Sequence, residues 1–175
     1  SMAFEPATVP EDSVFFIAEL AKSETGNARF AIELLWRAGK YADSEASELV
    51  LPEFIRKAFS SIFPSVKKSE LDSLGMHEKL LLLGVARVFK ESENAYALLS
   101  EVEKAYAIAC EEYGEEPSSH TQVWKYTQFL SALGFLKTEV AAVSTRGRTT
   151  HISLPSIPAR ELEKEIISCL KGQSR

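Results

Sequence analysis

Hydrophobic residues recur at helical spacing along most of the chain, and the pattern is most informative between His120 and Leu154. A helix that opens at Thr121 turns by about 100° per residue. Its inward arc then comprises Val123, Tyr126, Thr127, Leu130, Leu133 and Gly134. Gly134 is expected to end this helix, and two β-prone runs follow, FLKTEVAAV and TTHISL, around a basic turn with a glycine. A helix followed by such a hairpin is the DNA-reading half of a winged helix.

The outward face of this helix and the tip of the hairpin supply candidate DNA contacts. Polar and cationic side chains on the helix suit phosphates and base edges. Arginines that flank a glycine at a hairpin tip can lie in a minor groove or bind phosphate. We therefore predict a DNA-binding set of Thr121, Gln122, Trp124, Lys125, Gln128, Lys137, Arg146, Gly147, Arg148 and Thr149.

Each of these residues also has a simpler interpretation. The polar side chains of the helix can be ordinary solvated residues, and the hairpin arginines can be loop charges that keep the hairpin in water. The ring of Trp124 can pack under the hairpin or against another domain. The sequence leaves these alternatives open.

The first part of the chain predicts helices only. Asp12 is expected to cap a helix through about Ser23, with Val14, Phe15, Ile17, Ala18 and Ala21 at its apolar positions. Asn27 is expected to cap ARFAIELLWRAGKYA, which is apolar enough to bury most of its circumference. Pro52 suits the first position of PEFIRKAFSSIF, and Pro64 closes that helix.

From Met76 the pattern remains helical, but we expect a new domain. The segment HEKLLLLGVARVFKE predicts an apolar helix, and a longer helix is predicted from Tyr96 to Tyr113 with an acidic outer face. The DNA-reading helix, the hairpin and a closing helix (Ala159–Leu170) follow. The predicted fold is mostly α: a helical domain over 12–75, then a winged helix over 76–170 with a two-stranded β wing.

Composition adds few constraints. The chain has 175 residues, and no apolar run approaches the roughly 20 residues of a membrane span. Cys110 and Cys169 are isolated, as expected of buried thiols in a reduced, cytoplasmic protein. The three histidines are far apart and have no carboxylate at ligand spacing, so neither a metal site nor a catalytic set is expected. The opening Ser-Met suggests an expression scar, and the natural protein is expected to extend upstream.

Charge distribution changes the interpretation of the net charge of −5. Residues 76–116 carry 4 basic and 9 acidic side chains, whereas residues 117–155 carry 4 basic side chains and the single acidic residue Glu139. His120 and His151 can add positive charge below neutrality. A positive face on an acidic body predicts modest DNA binding that weakens steeply with salt.

Four segments resemble one known family. GNARFAIELLWRAGKYA is similar to the GDARRALDLLRVAGEIA segment of archaeal origin-recognition and cell-division-control initiators, which are AAA+ ATPases. MHEKLLLLGVARV resembles their HEKLVLLALA helix, VWKYTQFLSALGFL their RVSDYLSELEMLGLI, and TRGRTTHISL their wing ending RGRGGRTRIYSL. The order and spacing agree over roughly residues 12–155.

The resemblance implies the C-terminal half of such an initiator, an AAA+ lid followed by a DNA-binding winged helix. It implies double-stranded DNA at replication origins as the ligand, and a nucleoid-associated protein. It also implies an MCM-type replicative helicase and other initiator paralogues as partners. Arg29 occupies the position of the family's nucleotide sensor. The chain contains no GxxxxGK[ST] loop, so we expect no enzyme activity from it alone, and ATP or ADP with Mg only in a longer parent.

Two rival functions remain at this stage. A winged-helix transcriptional regulator would use the first domain for dimerisation and bind a palindrome. A protein-interaction module would use the acidic face of the Tyr96–Tyr113 segment to bind a basic partner.

Overall fold

The computed structural model describes residues 8–24, 28–63, 68–142, 148–155 and 157–172. Its helices are α1 (Glu11–Glu24), α2 (Ala28–Ser44), α3 (Pro52–Ile62), α4 (Lys68–Ser73), α5 (Met76–Glu91), α6 (Leu99–Glu112), α7 (His120–Ala132) and α8 (Ala159–Gly172). Its strands are β1 (Tyr96–Leu98), β2 (Lys137–Ala142) and β3 (Arg148–Ser153). The mostly α prediction is confirmed.

The chain divides into two compact units. The first unit comprises residues 1–65, 93–95 and 155–158, and the second comprises 66–92, 96–154 and 159–175. The short helix α4 belongs to the second unit and packs near α8. The predicted boundary between residues 75 and 76 stays a prediction about domain organisation.

In the first unit, α1, α2 and α3 pack on one another around an apolar core. Pro52 opens α3 at a first-turn position, as predicted, because a helix start needs no proline N–H. The core side chains include Phe16, Leu20, Leu34, Ile55 and Phe59.

A fully buried arginine, Arg56 of α3, lies within this unit. Its guanidinium is 3.3 Å from a carboxylate oxygen of Glu53 and 3.4 Å from the carbonyl oxygen of Ala95. The Ala95 N–H donates to the carboxylate of Asp12 at 2.6 Å. Burial lowers the pKa of Arg56, while the carboxylates of Glu53 and Asp12 oppose that shift. Together Arg56 and Asp12 hold the segment 93–95 against α1 and α3.

Two predictions for the first unit were wrong. Asp12 does not cap α1, which begins at Glu11; its side chain instead binds the Ala95 N–H. The helix α2 does not bury most of its circumference, since Ile32 is 68% exposed and Trp36 is 51% exposed. Only one stripe of α2 faces the core, formed by Leu34, Ala38, Gly39 and Ala42.

The centre of the second unit is α5, which packs against α6, α7 and α8. Its residues from Leu80 to Ala86 are buried. At Gly84 the helix approaches α6 so closely that a Cβ atom would lie 2.8 Å from the backbone nitrogen of Tyr106. A side chain at this position would therefore push the two helices apart.

Three antiparallel strands complete the second unit, in the order β1-β3-β2. The β2–β3 hairpin, here called the wing, is the predicted one. The prediction of helix from Tyr96 onwards was wrong for its first three residues, because Tyr96–Leu98 pairs with β3 and α6 begins at Leu99. The Leu98 N–H at this junction donates to the carboxylate of Glu101 at 2.7 Å, which fixes the start of α6.

Candidate nucleic-acid interface

The predicted DNA-reading helix is α7, and its ends are set by local chemistry. Ser119 is the N-cap, and its hydroxyl accepts a hydrogen bond from the Gln122 N–H at 3.4 Å. The chain leaves the helix at Gly134, whose positive φ of 83° suits glycine. The helix begins at His120, one residue before the predicted Thr121, and the predicted end at Gly134 is confirmed.

One side of α7 packs into the second unit. Val123, Thr127 and Leu130 are buried, and the Thr127 hydroxyl donates to the Val123 carbonyl at 2.9 Å. Tyr126 is half-buried. The prediction of an inward Leu133 was wrong, since this residue follows the last turn of the helix and is 50% exposed.

A polar cluster lies behind the start of α7. The hydroxyl of Tyr106 on α6 is 2.8 Å from Nδ1 of His77, and it accepts a hydrogen bond from the Ser118 N–H at 3.2 Å. The His77 ring also stacks on Tyr126. Burial raises the pKa of Tyr106, so its hydroxyl stays protonated at neutral pH. These contacts hold the segment that leads into α7.

The opposite side of α7 carries the predicted contact residues. Thr121, Lys125 and Gln128 are exposed, whereas Gln122 and Trp124 are half-buried. Among the ion pairs of the described residues, none involves Lys125. The structure thus brings five predicted residues together on one helix, with Lys125, which has no described carboxylate as an ion-pair partner, at the centre.

Trp124 faces an open groove of about 440 Å³ that runs between α6, the start of α7 and β3. The groove is lined by Leu99, Ser100, Glu103, His120, Thr121, Trp124 and Thr150. Trp124 is therefore neither buried under the wing nor fully in solvent. Its ring forms part of an accessible, mixed polar and apolar surface.

The structure describes fewer of the predicted contact residues of the wing than of α7. Lys137 opens β2, is half-buried and lies opposite Ser153 of β3. The backbones of Arg148 and Thr149 pair with β2, but their side chains lie outside what the structure describes. Arg146 and Gly147 lie outside the described residues altogether.

Sequence reasoning missed the contribution of α6 and β3 to this surface. Leu99, Ser100 and Glu103 share one face of α6 at helical spacing, and Thr150 comes from the wing. Their spacing in the sequence could have shown that the three α6 residues share a face. Only the packing of α6 beside α7 brings that face next to Trp124.

In the first unit, the predicted nucleotide sensor Arg29 lies in the first turn of α2 and is exposed. Trp36, two turns further on, carries the ammonium group of Lys40 over its ring at 3.9 Å. The exposed face of α2 therefore carries Ile32 and Trp36 beside the cations Arg29 and Lys40.

Other chemistry is not evident in the described parts of the chain. No group of three His, Cys, Asp or Glu side chains there could hold a metal ion. Cys110 and Cys169 are buried and form no disulfide, and burial raises the pKa of the Cys110 thiol. Across the same residues, no helix has the length and apolarity that crossing a membrane requires.

Family models match both units. Residues 1–60 match the Cdc6 AAA+ ATPase-type lid domain, and residues 69–164 match the CDC6 C-terminal winged helix domain. The chain belongs to the Cdc6 family. It carries the AAA+ ATPase-type lid domain and the C-terminal winged helix domain of this family.

Individual relatives agree with the family assignment. The chain is 34% identical over 171 residues to the ORC1-type DNA replication protein 2 of Sulfolobus acidocaldarius, covering 95% of the chain and 41% of that protein. It is 36% identical over 164 residues to the protein of the same name from Sulfurisphaera tokodaii, covering 91% of the chain and 39% of that protein. The chain thus spans about two-fifths of the length of these relatives.

Solved structures show the same fold. Cdc6p from Pyrobaculum aerophilum has a TM-score of 0.84 and 31% identity, covering 98% of the chain and 45% of that protein. The Aeropyrum pernix ORC1 protein, solved in complex with DNA, has a TM-score of 0.53 and 25% identity, covering 97% of the chain and 43% of that protein.

Proposed function

We propose that this chain binds double-stranded DNA at replication origins, as the C-terminal part of an ATP-dependent initiator that helps to load the replicative helicase. The observation that carries the proposal is the outward face of α7, where exposed Lys125 stands between polar side chains and the Trp124 groove. The complex of the related ORC1 protein with DNA supports the same ligand.

In this proposal the two ends of the surface contact different parts of the duplex. Thr121, Gln122, Trp124, Lys125 and Gln128 lie in or near the major groove, where a helix fits. Lys137 and the wing tip, Arg146 to Thr149, lie along the adjacent minor groove and its phosphates.

The lid contributes nucleotide sensing in the parent protein. Arg29 suits this role because it is exposed at the start of α2, and a guanidinium can donate two hydrogen bonds to phosphate oxygens. Bound ATP or ADP with Mg would supply the phosphates that Arg29 detects, and the remaining phosphate contacts would come from the nucleotide-binding half of a full-length AAA+ protein. An MCM-type helicase and other initiator paralogues are the partners of that larger assembly, which acts in the cytoplasm at the nucleoid.

The DNA contact is tested by titrating a labelled duplex at two salt concentrations. Replacing Lys125 by Ala is expected to weaken binding and to reduce the salt slope by about one, because one phosphate contact is lost. The double substitution Arg146→Ala and Arg148→Ala should reduce the slope further. Lys164→Ala, on the exposed face of α8, is the matched control and should change neither quantity.

The outcome also separates the rival functions. If both sets of substitutions leave affinity and slope unchanged, the surface is not a DNA contact and a protein-interaction module becomes the better explanation. The match to the Cdc6 family favours an initiator over a transcriptional regulator.

A further inference from the structure

His120 and Glu103 form a pair at the mouth of the groove beside α7. Nδ1 of His120 is within hydrogen-bonding distance of a carboxylate oxygen of Glu103 on α6. The His120 side chain is 73% exposed, whereas that of Glu103 is 25% exposed. The histidine is therefore held from the protein side, with much of its ring in solvent.

Charged and titratable groups on the neighbouring elements come from α6, α7 and β3, and from the segment before α7, which carries Glu115 and Glu116. On α6, the carboxylate of Glu101 accepts from the Leu98 N–H, and Lys104 is exposed. On α7 the cation of the next turn is Lys125, and on β3 the ring of His151 lies against Tyr96. The other residues that line the groove are uncharged: Leu99, Ser100, Thr121, Trp124 and Thr150. Glu103 is thus the ionised group in contact with His120 in the described part of the groove.

The two ring nitrogens of His120 have different surroundings. Nδ1 faces Glu103, and among the described residues no partner is recorded for Nε2. In the neutral ring only one nitrogen carries a proton, whereas both are donors in the charged ring. When Nδ1–H binds Glu103, Nε2 can donate to an anion only if the ring has taken up a second proton.

We propose that His120 is a proton-linked contact to a DNA phosphate, with Glu103 as the residue that positions it. This proposal rests on the proposed DNA-binding function. The charged ring donates Nδ1–H to Glu103 and Nε2–H to a phosphate oxygen. The neutral ring offers the phosphate a lone pair and leaves Glu103 unscreened, so both groups repel the DNA.

The pH dependence follows from the second proton. A phosphate beside Nε2 favours the charged ring, so the complex binds more protons than the separated partners. The contact needs the charged ring, so duplex affinity is expected to be highest at low pH and to fall as pH rises. The range to examine is about pH 6 to pH 8, where histidine side chains in general change charge.

The test measures duplex affinity at constant low salt between about pH 6 and pH 8, together with proton uptake by calorimetry in buffers of different ionisation enthalpy. The unaltered protein is expected to bind about three- to tenfold more weakly at the upper pH and to take up as much as one proton on binding. His120→Gln should lose most of the pH dependence, because Gln can donate to phosphate without a second proton.

Two further variants separate positioning from simple structure. Glu103→Gln should flatten the pH dependence, since no carboxylate is then left to repel the DNA when the ring is neutral. His151→Gln is the matched histidine control and should keep most of the pH dependence, since only His120 is held by a carboxylate beside α7. An undiminished pH dependence in His120→Gln, or its loss in His151→Gln, would overturn the proposal.

A proton titration of the His120 ring by NMR, with and without duplex, gives a second readout that does not depend on affinity. The ring should keep its charge to higher pH in the complex, and an unchanged titration would refute the contact. Absence of duplex binding at every pH would instead defeat the underlying DNA-binding function.

Discussion

The lid and the winged helix each bury a basic side chain, but they surround it differently. Arg56 in the lid has a carboxylate partner in Glu53, backbone carbonyls from the segment 93–95, and the ring of Phe16 at 5.4 Å. Lys79 in the winged helix is equally buried, and its ammonium group donates to the backbone carbonyl of Asp72 at 3.0 Å.

The difference reflects the structural role of the charged residue in each unit. The segment 93–95 brings backbone groups without helix or strand partners to the lid, and such groups are costly to bury unpaired. Arg56 and Asp12 provide those partners. In the winged helix, α5 packs mainly against α6 and α8. The ammonium group of Lys79 adds one hydrogen bond, to a carbonyl on the preceding helix α4.

The largest expected loss of stability follows from removing the buried guanidinium of Arg56 from the lid. Arg56→Ala should destabilise the lid by about 3 kcal/mol, because it leaves the Ala95 carbonyl without its donor and opens a cavity. Urea denaturation combined with hydrogen exchange of the α3 amides measures this change. Lys57→Ala is the control on the same helix as Arg56; it removes an exposed pair with Glu45 and should cost less than about 1 kcal/mol. Equal costs would show that Arg56 has no special role.

An intermediate effect is expected where the winged helix depends on close apolar packing. Gly84→Ala should destabilise that unit by about 1–2 kcal/mol, since the new methyl group meets the backbone of Tyr106 and the gain in helix propensity offsets only part of the strain. Gly172→Ala, in open space at the end of α8, is the control. A stabilised Gly84→Ala protein, measured by the same denaturation, would mean that α5 and α6 can separate at little cost.

The smallest change in stability is expected when the buried Lys79 is substituted. Lys79→Met is expected to change the stability of the winged helix by no more than about 1 kcal/mol, because an apolar side chain of similar length removes the cost of burying a charge. The Asp72 carbonyl can still bind water, since this residue is exposed. Hydrogen exchange of the α5 amides gives the measurement. A loss as large as that of Arg56→Ala would erase the proposed distinction between the two units.

The sequence predicted the helices best where caps and breakers agree with the hydrophobic period. Pro52 at the start of α3 and Gly134 at the end of α7 are local features, so no tertiary information was required to predict them. The prediction from the hydrophobic period was wrong where pairing with a strand distant in sequence determines the structure. Residues 96–98 have a helical pattern, yet they form a strand because β3 lies beside them.

The candidate surface shows the same division. Residue types and spacing placed Thr121, Lys125 and Gln128 on the outward side of α7, because the geometry of a single helix fixes that relation. They also grouped the acidic residues on α6. They could not show that Glu103 reaches His120, or that Leu99, Ser100 and Thr150 complete a groove with Trp124.

The sequence by itself therefore determined the element types, most of their limits and the outward residues of α7, since these follow from interactions between neighbours along the chain. The tertiary structure alone decided the third strand, the Asp12 and Arg56 contacts to Ala95 and the pairing of His120 with Glu103. Each of these joins residues that are far apart or on different elements. Such contacts depend on how helices and strands pack, and no local pattern encodes that packing.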